Sequence, residues 1–200
     1  MSGQATRAAG AMLSTFSEIE PRHDAQHTAV QTAERLAAHA MYSTWLERIT
    51  HDSGIHLRAE PGTWVLAPAG RRGHLESIAA AARAAGHPAQ LHDPAQIPGL
   101  NPPPTSAGAL WLPTEARIDS AALMDALTRS VQAHPRSTWH DASAESVTAD
   151  RVSCVDGTEV HAQQVVLAAG TSIPGLLPHG GRALGVPPIL AGRGVSMLLH

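Results

Sequence analysis

Lysine is missing from this 200-residue chain, and all 14 of its basic residues are arginine. The arginines are scattered and the net charge is −3, so no basic patch is available to neutralise a phosphate backbone. Aromatic residues make up only 3%, which leaves no stacking platform for single-stranded nucleic acid. The single cysteine, Cys154, excludes an internal disulfide and a multi-cysteine metal site. No apolar run approaches the roughly 20 residues that span a bilayer. Met1 to Arg7 lacks the basic-then-apolar order of a secretory leader, so the expected setting is the cytoplasm. Hydrophobic residues at 43% against 16% charged exclude a disordered tail and a coiled coil. A mixed α/β protein remains.

Helical and extended patterns alternate along the chain. Asp24 is placed to cap a helix running to about Thr50, with Val30, Ala33, Ala37, Met41 and Trp45 inward at steps of three or four. Ile55 to Arg58 and Thr63 to Leu66 read as short strands joined by a turn at Pro61-Gly62. Arg71 to Ala85 is an alanine-rich helix closed by Gly86-His87-Pro88. Asp93 to Thr105 is proline-rich, with room for one short helical turn. Ala109 to Leu112 is extended again, and Asp119 caps a helix burying Leu123, Ala126, Leu127 and Val131. After Pro135 the pattern is β: Ser137 to His140, Ala144 to Thr148, then Arg151 to Val155 and Glu159 to His161 around the turn dipeptide Asp156-Gly157. Gln164 to Ala168, with its run Val165-Val166-Leu167, predicts a central strand buried on both faces. Gly170-Thr171-Ser172 then opens a short helix, and Val195 to Leu199 is extended.

The opening, Gly3 to Leu13, is a loop of small residues in which Thr6 supplies a hydroxyl. Such a run lets backbone approach a planar ligand or a phosphate. The order Ala8-Ala9-Gly10-Ala11-Met12-Leu13 followed by Ser17-Glu18 closely resembles the flavin-contacting loop of FAD-dependent oxidoreductases of the glycine oxidase and D-amino-acid oxidase superfamily. The resemblance continues in order through Gly108 to Pro113, Glu115 to Asp119, Glu145-Ser146-Val147 and Val165 to Gly170. It ends with Val186-Pro187-Pro188 and Gly192-Arg193-Gly194, and so covers nearly the whole chain.

That resemblance implies a partial FAD-binding, Rossmann-like domain interleaved with part of an antiparallel-sheet substrate domain. The implied boundaries are 1–54 and 113–182 for the FAD-binding parts, and 55–112 and 183–200 for the substrate-domain parts. By the same resemblance Gly10, Ala11 and Met12 lie near the flavin, and Ala5 and Thr6 near its phosphate or ribitol. Val147 faces the adenine end, while Ala169 and Gly170 permit close approach of FAD. The implied reaction moves a hydride from the amine-bearing carbon of a small amino acid or secondary amine to the flavin, and water hydrolyses the resulting imine. A small-molecule amine is the implied partner, and a homo-oligomer is left open.

The chain departs from that family at both ends. The strand and Gly-x-Gly-x-x-Gly that receive the pyrophosphate would precede Met1. Gly192-Arg193-Gly194 is discounted as a substitute, because Met197 stands where the third glycine belongs. The expectation is a chain cut at both ends that binds FAD weakly or not at all. No catalytic acid or base is nominated.

Other chemistries are weaker readings. His23 and His27 share a helical face but lack a Cys or Asp/Glu partner at ligand spacing, so no metal is expected. Cys154 in a hairpin strand reads as a small buried residue, and Gly194-Val195-Ser196 is not a nucleophile elbow. Two alternatives stand beside the oxidase: a non-catalytic fragment or interaction module that keeps the fold without FAD, and a flavin-dependent dehydrogenase of another substrate.

Overall fold

The computed structural model describes residues 12–19, 25–101 and 105–178. Asp24 and the segment from Val186 to Leu199, both given roles above, lie outside them. The chain divides into two compact units, Met1–Ser137 and Thr138–His200.

In the first unit the central strand is β4 (Ser106–Arg117). It pairs antiparallel with β2 (Glu60–Pro68) on one side, and with β3 (Gln90–His92) and the two-residue β1 (Met12–Leu13) on the other. Alternation along β4 sorts its side chains to two faces. Leu110 and Leu112 point to one, where Leu75, Ile78, Ala79 and Ala82 of helix α2 (Arg72–Ala84) close over them and Ala67. That helix stops where the sequence predicts. Gly86, at φ +82°, lets the His87 N–H reach the Ala82 carbonyl (2.9 Å) and its own N–H the Arg83 carbonyl (2.9 Å), so the last turn is satisfied.

Trp111 points to the opposite face. Its ring lies 4.8 Å from that of Trp64, directly across the ladder, and Trp64 meets the His92 ring edge-on at 5.1 Å. Pro61-Gly62 is not a hairpin turn between two strands, as the sequence suggests. It is a bulge inside β2, where the register slips between Pro61 and Thr63, and Ile55 to Arg58 has no ladder. Both β2 and β4 are longer than their apolar cores predict, because pairing extends through Pro68 and Ser106 at one end and through Glu60 and Arg117 at the other. At that second end Arg117 Nε donates to Glu60 Oε2 at 2.9 Å.

A second cluster joins helix α1 (Ala25–Ser53) to helix α3 (Ser120–Ala133) through Leu46, Ile49, Leu57, Ile118 and Ala126. The inward residues of α1 are Leu36, Tyr42, Leu46 and Ile49, none of them in the predicted stripe, whose Ala33 and Ala37 are exposed. Met41 is 70% exposed, and Val30 and Trp45 also face outward. Both stripes have helical spacing, and the one richer in large aliphatic side chains is buried because it removes more apolar area from water. Asp119 caps α3 as predicted, accepting from the N–H groups of Ala121 and Ala122. Val131 of its predicted stripe is exposed. No helix among the described residues is long and apolar enough to cross a membrane.

The second unit is a three-stranded antiparallel sheet, β5 (Ala144–Val147), β6 (Arg151–Cys154) and β7 (Glu159–His161), burying Val147 and Cys154. Ser137 to His140 forms no strand. The segment Gln164 to Ala168 is not a strand either, and Val166 is 89% exposed. An apolar run becomes a buried central strand only where neighbours supply ladder partners on both edges, and β5 to β7 supply none. A 3₁₀ turn at Gly170–Ser172 then leads into α4 (Ile173–Leu176), which packs against β5.

Two predictions follow from this packing. Gly62 has φ +100°, and a Cβ built on it would overlap the Trp111 indole. Gly62→Ala is therefore expected to lose about 2–4 kcal/mol and to lower Tm by roughly 5 °C or more. An unchanged thermal melt would show that the indole is not fixed there. In the β6–β7 turn, the Thr158 N–H donates to Asp156 Oδ1 at 3.0 Å and holds that carboxyl below its ordinary 3.8. A depressed acid pKa means the bond is kept above pH 3.8 and lost as pH falls through the lower folded value. The Thr158 amide resonance is expected to titrate with a midpoint below 3.8, and a midpoint at or above it would refute the assignment.

Candidate functional site

The loop from Met12 to Ile19 follows directly on the small-residue run singled out in the sequence, and it is held from three directions. Its first two residues join the sheet, with Met12 opposite Arg117 and Leu13 opposite Ala116. Phe16 and Ile19 enter the core beneath α2, and the Phe16 ring lies 5.2 Å from that of His87. The third hold is polar. Glu115, on β4 and only 1% exposed, receives the backbone N–H groups of Thr15 (3.1 Å), Phe16 (2.6 Å) and Ser17 (2.9 Å) on a single oxygen, Oε1. Successive N–H groups converging in a turn form a concave anion site. Here the anion is a side chain of the protein itself. Arg35 of α1 closes the outer side, reaching the Thr15 carbonyl at 3.5 Å and the Glu18 carboxylate at 3.7 Å.

Hydrogen bonding in this loop is incomplete. Ser14 Oγ, Thr15 Oγ1, Ser17 Oγ and Glu115 Oε2 are all buried without a partner. Buried hydroxyls are ordinarily satisfied by protein or ordered water, so these groups hold the loop's unused hydrogen-bonding capacity. Beside the loop, Ser17, Glu18, Ile19, Arg35 and His74 line an open cavity of about 360 Å³.

The predicted site residues separate as follows. Ala5, Thr6, Gly10 and Ala11 lie outside the described residues. Met12 is in the first unit, 56% exposed at the head of the anchored loop. Val147, Ala169 and Gly170 are in the second unit. Val147 is buried opposite Val152, with its main chain in the β5–β6 ladder. Ala169 and Gly170 are exposed, and nothing stands within 4 Å of where a Gly170 side chain would begin. No cluster of metal-ligating side chains occurs among the described residues.

The sequence reading missed the role of Glu115, quoting it only as part of a motif. The available signal was an acidic residue two positions after Pro113 in a strand that is otherwise buried. Trp64, Trp111 and His92 meet on one face of the sheet, a grouping that only the strand register brings about.

Removing the Glu115 carboxylate would leave three buried N–H groups without an acceptor. Glu115→Ala is therefore expected to cost about 3–5 kcal/mol in urea unfolding at neutral pH, from donors that cost about 1–3 kcal/mol each when buried without an acceptor. Glu115→Gln keeps an acceptor oxygen and should lose about half as much. A loss below about 1 kcal/mol in the alanine variant would mean that the loop does not depend on this side chain.

Comparison with known proteins places this architecture. Glycine oxidase from Geobacillus kaustophilus superposes with a TM-score of 0.72 at 20% identity, over 94% of this chain and 50% of its own. Glycine oxidase from Bacillus cereus gives 0.63 at 14% identity, over 86% and 46%. Iminodiacetate oxidase from Chelativorans sp. BNC1 gives 0.59 at 17%, over 92% and 48%. The chain thus has their fold and spans about half their length. No curated protein matches its sequence. The model of the FAD dependent oxidoreductase family matches residues 1–200, every position of the chain, and the chain belongs to that family.

Proposed function

We propose that this chain contributes to an FAD-dependent oxidation of the C–N bond of a small amino acid or secondary amine. The observation that carries the reading is the family match along the entire length. The glycine oxidase and iminodiacetate oxidase folds among its structural neighbours support the substrate class.

The residues present fit a flavin nucleotide in kind. Met12 stands exposed at the head of the loop that Glu115 anchors, and Ala169 and Gly170 are exposed, with open space where a Gly170 side chain would begin. In this reading Met12 and the run before it contact the flavin. Val147 meets adenine through its main chain, and Ala169 and Gly170 allow FAD to approach. FAD, when bound, supplies the hydride acceptor. The protein's part is to position: Glu115 fixes the loop, and the Trp64–Trp111–His92 face offers an apolar wall on the substrate-domain side. We assign 1–54 and 113–182 to the flavin domain and 55–112 and 183–200 to the substrate domain. The single cysteine suits a cytoplasmic setting.

The test is a visible spectrum of the purified chain after incubation with FAD and gel filtration, joined to a flavin-fluorescence titration. Weak but saturable quenching is expected. A protein that stays colourless and never quenches FAD would overturn the reading and favour an interaction module that keeps the fold without the cofactor.

A further inference from the structure

We infer that Glu115 is a positioning residue for the cofactor-facing loop: its buried carboxylate sets the backbone of Thr15 to Ser17 and thereby the approach of Met12 to the flavin. The inference rests on the flavin reading above and extends it to a residue outside the small-residue motifs.

Glu115 is unlike the other acidic groups whose contacts have been described. Glu60, Glu18 and Asp156 sit at the surface, where water competes for their hydrogen bonds. Glu115 is buried, reaches across about one hundred residues of sequence, and takes three consecutive N–H groups on one oxygen. Three donors on one acceptor fix both the position and the curvature of the loop, because each N–H must point at the same atom. Two residues further along β4, Arg117 is the ladder partner of Met12. The strand that carries the carboxylate therefore also holds Met12, one of the residues read as facing the flavin. Phe16 supplies a hydrophobic anchor under α2, but a side-chain anchor alone leaves the backbone free to turn. The other oxygen, Oε2, is buried and has no hydrogen-bond partner, so the hold on the loop rests on Oε1 alone.

The deciding variant is Glu115→Gln, which keeps volume and one acceptor oxygen but removes the charge. Two readouts are taken on the full chain: amide hydrogen exchange at Thr15, Phe16 and Ser17, and FAD affinity by fluorescence quenching. Leu127→Ala, partly buried between α1 and α3, serves as a control for general destabilisation. In E115Q, exchange at the three amides is expected to rise about tenfold or more while Leu110 and Leu112 remain protected, and FAD binding to weaken about tenfold. L127A should change neither selectively. Unchanged exchange at the three amides in E115Q overturns the inference, as does unchanged FAD affinity when those amides have opened. Should E115Q not fold, Glu115→Asp, which keeps the charge but shortens the reach, is expected to give the same two changes and is judged by the same criteria. If the wild-type chain shows no saturable FAD binding, the flavin reading itself fails, and the positioning role fails with it. Binding in the wild type that is undiminished in E115Q removes only the positioning role.

Discussion

A carboxylate taken out of water must recover the hydration it gives up, and that requirement organises the first unit. Glu115 recovers it from three backbone N–H groups, which can converge only if residues 15 to 17 turn tightly around it. The turn puts Phe16 and Ile19 under α2 and leaves Met12 and Leu13 to pair with the end of β4. Sheet edge, core and loop thus share one dependence. Burial without such partners would cost several kcal/mol, so the position selects a loop that can satisfy it.

Strand β4 is where these demands meet. One of its faces is sealed by α2, its edges carry β1, β2 and β3, and its end passes through Ile118 into the α1–α3 cluster. Its other face is aromatic and half-exposed, with Trp111 seated over the glycine in the β2 bulge. One side of the sheet is thus sealed by structure and the other is left partly open.

Local signals with a chemical cause were readable from the chain. Asp119 before an apolar helical stripe, Gly86-His87-Pro88 after an alanine-rich one, and Asp156-Gly157 between short strands all act through their nearest neighbours, and all appear where the sequence puts them. What escaped depends on distant residues. The inward face of α1 was chosen among two helical stripes by the apolar area each could bury against Leu57 and Ile118. Pro61-Gly62 has turn chemistry, yet Trp111 and the β4 ladder draw it into a bulge. Glu115 could be recognised as a motif residue, but its partners lie about one hundred positions away. Four of the eight nominated cofactor residues, Met12, Val147, Ala169 and Gly170, have a described position, and only their order along the chain pointed to a common ligand.

The segment Val165-Val166-Leu167 has a consequence for handling the protein in solution. It forms no strand among the described residues, and Val166 is almost fully in water. An apolar stretch exposed in this way is sticky through its side chains, and its backbone is open to a strand that pairs with it. The attraction it offers is apolar rather than ionic. Salt, which screens charge, would do little to keep it dispersed, whereas a peptide able to add as a strand would mask both surfaces together.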